Sequence, residues 1–204
     1  MTKLAIADLK DFTNPQTLAI NQTIEVSPAF GDLLPGSSLR RGSVGVVAGV
    51  LGSGATSLFF SLISTPSKKG SWIALVGLEN LGFASAHSRG VDLSRLVSIS
   101  CSTPDLPEVA SIMLDGFDIV VMRMPVDATR ARKLAEKARR QRSVLLVLSG
   151  MESARWPASC DFSITARRSV WQLEAMAPVS RRSLVFEVAS ERWGSAKTAE
   201  MDGI

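Results

Sequence analysis

Five short, nearly continuous apolar runs recur along the middle of the chain, at residues 44–48, 72–76, 96–101, 117–122 and 144–148. Their weak polar alternation predicts strands buried on both faces, as in a parallel sheet covered by helices. The stretches between them carry helical periodicity. Leu58, Phe59, Leu62 and Ile63 share one side of residues 57–64, and Pro66 is expected to end that helix because it lacks an N–H and crowds the preceding turn. Residues 79–90 read as a second helix closed by Gly90, a residue free to take the left-handed backbone of a C-terminal cap. A third covers 107–114, with Asp105 as its cap and Val109, Ile112 and Met113 facing inward. The fourth, 127–142, sets Ala131, Leu134, Ala135 and Ala138 at helical spacing, so a narrow alanine stripe would lie close against a sheet while Arg and Lys face water. This alternation from 44 to 148 implies an α/β fold with helices on both faces of a mainly parallel sheet.

The two ends of the chain read differently. Residues 1–25 alternate only weakly and contain Pro15, which predicts a peripheral N-terminal arm ahead of a core spanning 26–193. After Gly150 the pattern switches to short alternating segments at 160–165, 169–173 and 184–188, the last preceded by Arg181 and Arg182; these fit antiparallel edge strands joined by hairpins. Residues 194–204 are small and polar, and are expected to form a flexible tail unless a partner orders them.

Composition narrows the chemistry. A chain of 204 residues suits one domain with a self-sufficient core, and no apolar run approaches the ~20 residues of a membrane span. The first residues lack the apolar core and cleavage site of a signal peptide, so a cytoplasmic protein without membrane contact is expected. Cys101 and Cys160 are far apart and His87 is the single histidine, which leaves no zinc pattern and no nucleophile–base pair. Both cysteines are expected to be small core residues, His87 to sit on a helix surface, and Trp72, Trp156 and Trp171 to fill core or interface. The net charge of +4 allows contact with nucleic acid or an acidic partner without choosing between them.

One stretch carries recognisable chemistry. After the first buried strand comes GVLGSGATS, in which Gly49 and Gly54 take the two glycine positions of the phosphate-binding pattern G-x-x-x-x-G-K-[ST], Gly52 and Ser53 lie between them, and Thr56 and Ser57 supply hydroxyls. Ala55 stands where that pattern needs the lysine that reaches the terminal phosphates.

With the strands placed, residues 26–192 resemble the core of the RecA recombinase family. The lead-in LPGSSLRRGSVGVVAG is similar to the loop and first strand before that family's phosphate loop, and RGVDLSRLVSIS to its L-G-V-D-x-x-x-L stretch. The resemblance puts Glu79 where the family carries its catalytic glutamate. It puts Arg123 where a metal-binding aspartate ends the fourth strand, and Ser149 and Gly150 where the fifth ends in Asn-Gln. Phosphoryl transfer needs a cation at the β/γ oxygens and a carboxylate for Mg²⁺, so Ala55 and Arg123 imply a fold kept without its reaction, with no ATP cofactor, no metal and no catalytic residue. An arginine in the metal's place is expected to pair with Glu79 across the vacated site; the competing expectation has it reach a phosphate without Mg²⁺.

A short RecA-like chain with an eroded phosphate loop resembles the ImuA group, in particular the actinobacterial form called ImuA-prime. That resemblance implies an accessory, non-enzymatic role in DNA-damage-induced mutagenesis and translesion synthesis. The implied partner is an ImuB-like Y-family polymerase homologue and, through it, an error-prone C-family polymerase and the sliding clamp. The tail from Trp193 onward is a candidate partner contact, and Arg130, Arg132, Lys133, Lys137, Arg139, Arg140 and Arg142 form a candidate DNA or partner surface, against the alternative of a solvated helix face. Two other readings stay open: a SulA-like inhibitor of cell division that binds FtsZ, and a weak DNA-binding recombination modulator.

Overall fold

A computed structural model describes residues 22–31, 33–34, 37–150, 156–172, 181–190 and 196–201. Two short strands, β1 (Thr23–Glu25) and β2 (Ser38–Arg40), pair antiparallel as a ribbon. The main sheet contains β3 (Val44–Ala48), β4 (Ile73–Val76), β5 (Leu96–Ile99), β6 (Ile119–Arg123), β7 (Val144–Ser149), β8 (Phe162–Gln172), β9 (Arg181–Ala189) and β10 (Lys197–Met201). Their spatial order is β5-β4-β6-β7-β3-β8-β9-β10, with parallel pairing from β5 through β8 and antiparallel pairing of β8, β9 and β10. Four helices connect the parallel strands: α1 (Ala55–Lys68), α2 (Phe83–Ser88), α3 (Leu106–Met113) and α4 (Ala128–Gln141). A mainly parallel sheet flanked by helices, with antiparallel strands at one edge and a glycine turn after a central strand, fits a RecA-like core.

Strand residues alternate between two cores, as the period-two geometry of a strand requires. On one face Val47, Leu75, Val121 and Leu146 pack with Leu58, Phe59, Leu62 and Ile63 of α1 and with Ala86 of α2. On the other, Val46, Val76, Val120 and Val147 pack with Leu106 and Ala110 of α3 and with the expected stripe Ala131, Leu134, Ala135 and Ala138 of α4. The β1–β2 ribbon joins the α1 face through Ile24 and Leu39, and Phe30 meets Phe186 of β9 with ring centroids 5.8 Å apart. Residues 23–25, assigned from sequence to the arm, therefore pack on the core; residues 1–21 and Trp193 lie outside the described residues.

Local departures from the sequence expectations have identifiable causes. Helix α1 does not stop before Pro66 but runs through it. Hydroxyls of Ser61, Ser64 and Ser67 donate to carbonyls one turn back, and Pro66 and Ser67 are buried against the core, which holds the last turn despite the missing N–H. Helix α2 begins only at Phe83; Gly90, with φ +79°, follows its end as anticipated. In α3 Leu106, Pro107 and Ala110 are buried and Val109 and Met113 pack against the core as expected, whereas Ile112 is 55% exposed; the inward side is centred on Leu106 and Ala110. Asp105 flanks α3 without capping it; its carboxylate accepts from Ser102 Oγ instead.

The two segments expected at 160–165 and 169–173 fall within one strand, β8, whose pairing with β9 shifts register between Ala166 and Arg168; residue 173 lies outside the described residues. The tail is not wholly flexible. Residues 197–201 form β10, paired along β9 from Lys197↔Val188 to Met201↔Leu184, with Ala199 and Met201 packed on the core. Ladder hydrogen bonds and two apolar contacts on one face are enough to seat a strand whose composition is otherwise that of a linker.

Candidate functional site

The glycine turn sits where α/β sheets bind ligands, beyond the carboxyl ends of the parallel strands. Strand β3 ends at Ala48, the chain turns through Gly49–Gly54, and α1 begins at Ala55 with Gly54 as its N-cap at φ +94°. A Cβ on Gly54 would lie 2.2 Å from Leu184 Cδ2, so both the backbone and the packing of β9 demand glycine there. The turn is tied down by Gly49 N–H donating to Ser149 O at 3.2 Å and by Ser169 Oγ donating to Gly52 O at 3.2 Å. Ser53 Oγ is buried with no hydrogen-bond partner among the described residues.

Above the turn lies a cleft of about 460 Å³ whose lining includes Val47, Val50, Leu51, Leu78, Leu81 and Leu148, together with Ala55, Thr56, Ser57 and Arg123. Leu51 projects fully into solvent at 103% and Val50 is 49% exposed. Backbone N–H groups of the turn and the start of a 14-residue helix are thus present without a lysine at position 55, and the cleft walls are mostly apolar.

Arg123 is the last residue of β6, level with Leu148 of β7, which is where the resemblance placed a metal-binding carboxylate. Its expected ion pair with Glu79 is absent among the described residues. Arg123 Nη2 donates to Thr103 Oγ1 at 3.0 Å, and Nε lies near Gly77, buried and without a partner among the described residues. Glu79 is exposed; the two side chains line the same 180 Å³ pocket without bonding. Gly77, at φ +65°, packs beside Leu106 and Arg123: a Cβ there would lie 2.2 Å from Leu106 Cδ2 but at an ordinary 3.5 Å from Arg123 Nε, so its close approach is to Leu106. Close by, burial pushes the Cys101 thiol above its ordinary pKa, Glu79 and Asp105 add to the rise, and Arg123 partly offsets it.

The basic residues in and just after α4 lie in different surroundings. Lys137 pairs with Asp115 at 2.8 Å, and Arg130 lies 3.5 Å from Asp127, the N-cap that accepts from Thr129 and Arg130 N–H. Arg132, Lys133 and Arg140 are exposed. Arg139 and Arg142, at the far end, meet Arg40 and Arg41 around a cleft of about 540 Å³ at the amino ends of the strands. That second concavity was missed from sequence: the Arg40–Arg41–Gly42 turn is visible there, but its neighbour in space is about 100 residues away, at the end of α4. Of the other residues singled out, His87 is exposed on α2, both cysteines are half-buried, and Trp156 is buried. Trp72 is 41% exposed with the Arg95 guanidinium 5.0 Å from its ring centroid. No group of three His, Cys, Asp or Glu side chains that could hold a metal is found among the described residues, and no helix among them is long and apolar enough to cross a membrane.

Fold and cleft together define an α/β core with a mainly parallel sheet, a layout that fits a RecA-like core, and a glycine turn of phosphate-binding pattern that carries Ala55 in the lysine position. Residues 32–158, which include both clefts' turns and helices α1 to α4, match the model of the MT3502 N-terminal domain, and the chain belongs to that family. It is 38% identical over 141 residues to Rv3395c, an uncharacterized protein of Mycobacterium tuberculosis (strain ATCC 25618 / H37Rv), the match covering 66% of this chain and 67% of that protein.

Proposed function

We propose that this protein is a non-catalytic RecA-like accessory factor of the ImuA-prime kind. In this reading it serves DNA-damage-induced mutagenesis by holding an ImuB-like Y-family polymerase homologue and, through that partner, an error-prone C-family polymerase and the sliding clamp. The observation that carries the reading is the carboxyl-end cleft. Ala55 replaces the phosphate-binding lysine, Arg123 occupies the metal-binding position and is turned toward Thr103, and the walls are apolar with Leu51 standing free at the rim. Such a cleft suits an apolar side chain of a protein partner better than a triphosphate, because a buried aliphatic anchor gains from desolvation whereas phosphates would lack a lysine and Mg²⁺.

Co-purification of the full chain with the ImuB-like homologue from the same genome tests it, using FtsZ as the comparison bait. Leu51→Asp is the informative variant, since a fully exposed side chain can change without disturbing the core. Capture of the polymerase homologue that falls at least about tenfold in Leu51→Asp is expected, the effect of losing one anchor residue. Capture of FtsZ alone would replace the reading with the division-inhibitor one, and undiminished capture by Leu51→Asp would move the contact away from this cleft.

A further inference from the structure

The second cleft has a different chemistry. Its walls come from the β2–β3 turn and the last turn of α4, brought together by Gly42: at φ +83°, a Cβ there would sit 3.1 Å from Arg139 Cα, so only a glycine lets the turn lie this close to the helix. The approach gathers Arg40, Arg41, Arg139 and Arg142 around one concavity at the amino ends of the strands.

Nearby carboxylates are already engaged. Asp161 Oδ2 accepts from Val44 N–H at 2.9 Å, and Asp118 takes Arg41 Nη1 at 2.7 Å and Trp72 N–H at 2.9 Å. Arg41 also donates to Arg142 O at 3.4 Å, and Arg139 Nη2 donates to Ser159 Oγ at 2.9 Å. Arg40, Arg139 and Arg142 are exposed and form no ion pair among the described residues. Four guanidinium groups against two committed carboxylates leave a surplus of positive charge around the cleft, which Arg40, Arg41, Arg139 and Arg142 all line.

The geometry points to a binding site for the phosphodiester backbone of a nucleic-acid strand in this arginine cleft. Planar guanidinium forks match phosphate oxygens two at a time, and their weak hydration suits an exchange of water for phosphate. A polymer fits better than a single phosphate. The cleft holds about 540 Å³, and Arg132, seven residues before Arg139 on the same side of α4, extends the basic row by roughly 10 Å at 1.5 Å per residue. Among the described residues no aromatic side chain lines the cleft, so these residues would neither stack nor read bases, and binding independent of sequence is expected. The site lies at the opposite end of the strands from the apolar cleft and does not depend on the partner reading above.

The test is fluorescence anisotropy of a labelled single-stranded oligonucleotide of mixed sequence, titrated with the full chain. Affinity should fall steeply between about 50 and about 200 mM salt. Reversing two cleft residues, Arg40→Glu with Arg139→Glu, should weaken binding at least about tenfold and flatten the salt slope by about 2, one for each lost phosphate contact. Reversing two residues outside the cleft, Arg130→Glu with Lys133→Glu, should cost less than about threefold, although it changes net charge equally. Because cations in the last turn of a helix also stabilise it, both variants are checked by thermal melting, and Arg40→Gln with Arg139→Gln serves if the reversal unfolds. Four results overturn the proposal: no binding at low salt, equal losses in the two double variants, binding of pyrophosphate but not the oligonucleotide, or binding of polyglutamate as tight as that of the oligonucleotide.

Discussion

At the carboxyl ends of β3, β4 and β7 the side chains facing open space are Leu51, Leu78 and Leu148; at the amino side of β3 and β7 they are Arg40, Arg41 and Arg142. One sheet offers a concavity at each end, of comparable volume, about 460 and about 540 Å³. The carboxyl-end cleft keeps the backbone of a phosphate site and lacks its charge. The amino-end cleft has the charge without a phosphate-type turn. Backbone layout therefore decides where a site can be, and side chains decide what it can hold. In both places a glycine with positive φ sets the wall: Gly54 against Leu184, Gly42 against Arg139.

Those glycines give the largest expected effect. Gly54→Ala forces a Cβ into Leu184, which is itself fully buried, and imposes φ +94° on an L-residue, so a loss of about 2–4 kcal/mol is expected in urea unfolding. Gly52→Ala separates the two contributions. Its φ is +84° but nothing lies within 4 Å of the added methyl, and only the backbone cost of about 1–2 kcal/mol should appear. Equal losses in both variants would mean that Leu184 does not constrain the turn.

The next effect reads the charge around Arg123. Cys101 reacts as the thiolate, and its pKa is raised by burial first and then by Glu79 and Asp105, with Arg123 acting the other way. Glu79→Gln should therefore speed alkylation of Cys101 at mildly alkaline pH by about two- to fivefold, and Arg123→Met should slow it by a smaller factor. Peptide-resolved mass spectrometry checks this with Cys160 as the internal control. A rate that rises in Arg123→Met would show that the guanidinium is not directed toward this corner of the cleft.

How much of this was legible in the sequence depends on the range of the contacts involved. The parallel strands were legible because VGVVA or VLLVL can only be buried on both faces, and α4 because Ala131, Leu134, Ala135 and Ala138 fix its inward side through local spacing. The glycine turn and the substitution at Ala55 were legible for the same reason. What failed was decided by partners distant in the chain. Arg123 bonds to Thr103, 20 residues away in the chain, rather than to Glu79, a choice that residue type and spacing alone do not fix. Residues 197–201 become a strand because β9 presents an unpaired edge, and α1 continues through Pro66 because serine hydroxyls and burial support that turn. The arginine cleft needs residues 40–41 and 139–142 in one place, which only the folded chain provides.

A smaller effect concerns how α4 is held beside the arginine cleft. Lys137 and Gln141 both hydrogen-bond Asp115, and the Lys137 bond chiefly holds its carboxyl below the usual aspartate pKa. A folded pKa below the unfolded one contributes stability above the unfolded value, and that contribution is lost as pH falls through the folded one. Asp115→Asn should thus lower the melting midpoint slightly at neutral pH, with the difference from wild type closing below the ordinary carboxylate range. The effect is small because the pair is solvent-screened, and it should shrink further in high salt. A difference that persists in strong acid would assign the contact to packing rather than charge.

The smallest expected effect is none at all, and it bears on the carboxyl-end cleft most directly. Ala55→Lys restores the residue that most obviously separates this turn from a working phosphate loop. Yet the lysine supplies only one of two requirements, since the end of β6 presents Arg123 where Mg²⁺ would need a carboxylate. Adding a second cation next to Arg123 favours loose anion binding but gives no metal to neutralise the γ-phosphate as it leaves. Phosphate release by Ala55→Lys should therefore stay at the wild-type background even at high protein concentration. Only Ala55→Lys combined with Arg123→Asp should gain measurable Mg²⁺-dependent nucleotide binding by calorimetry. Turnover in the single variant would mean that a carboxylate elsewhere, such as Glu79, which lines a pocket together with Arg123, can hold the metal, and the two ends would then differ less than their side chains suggest.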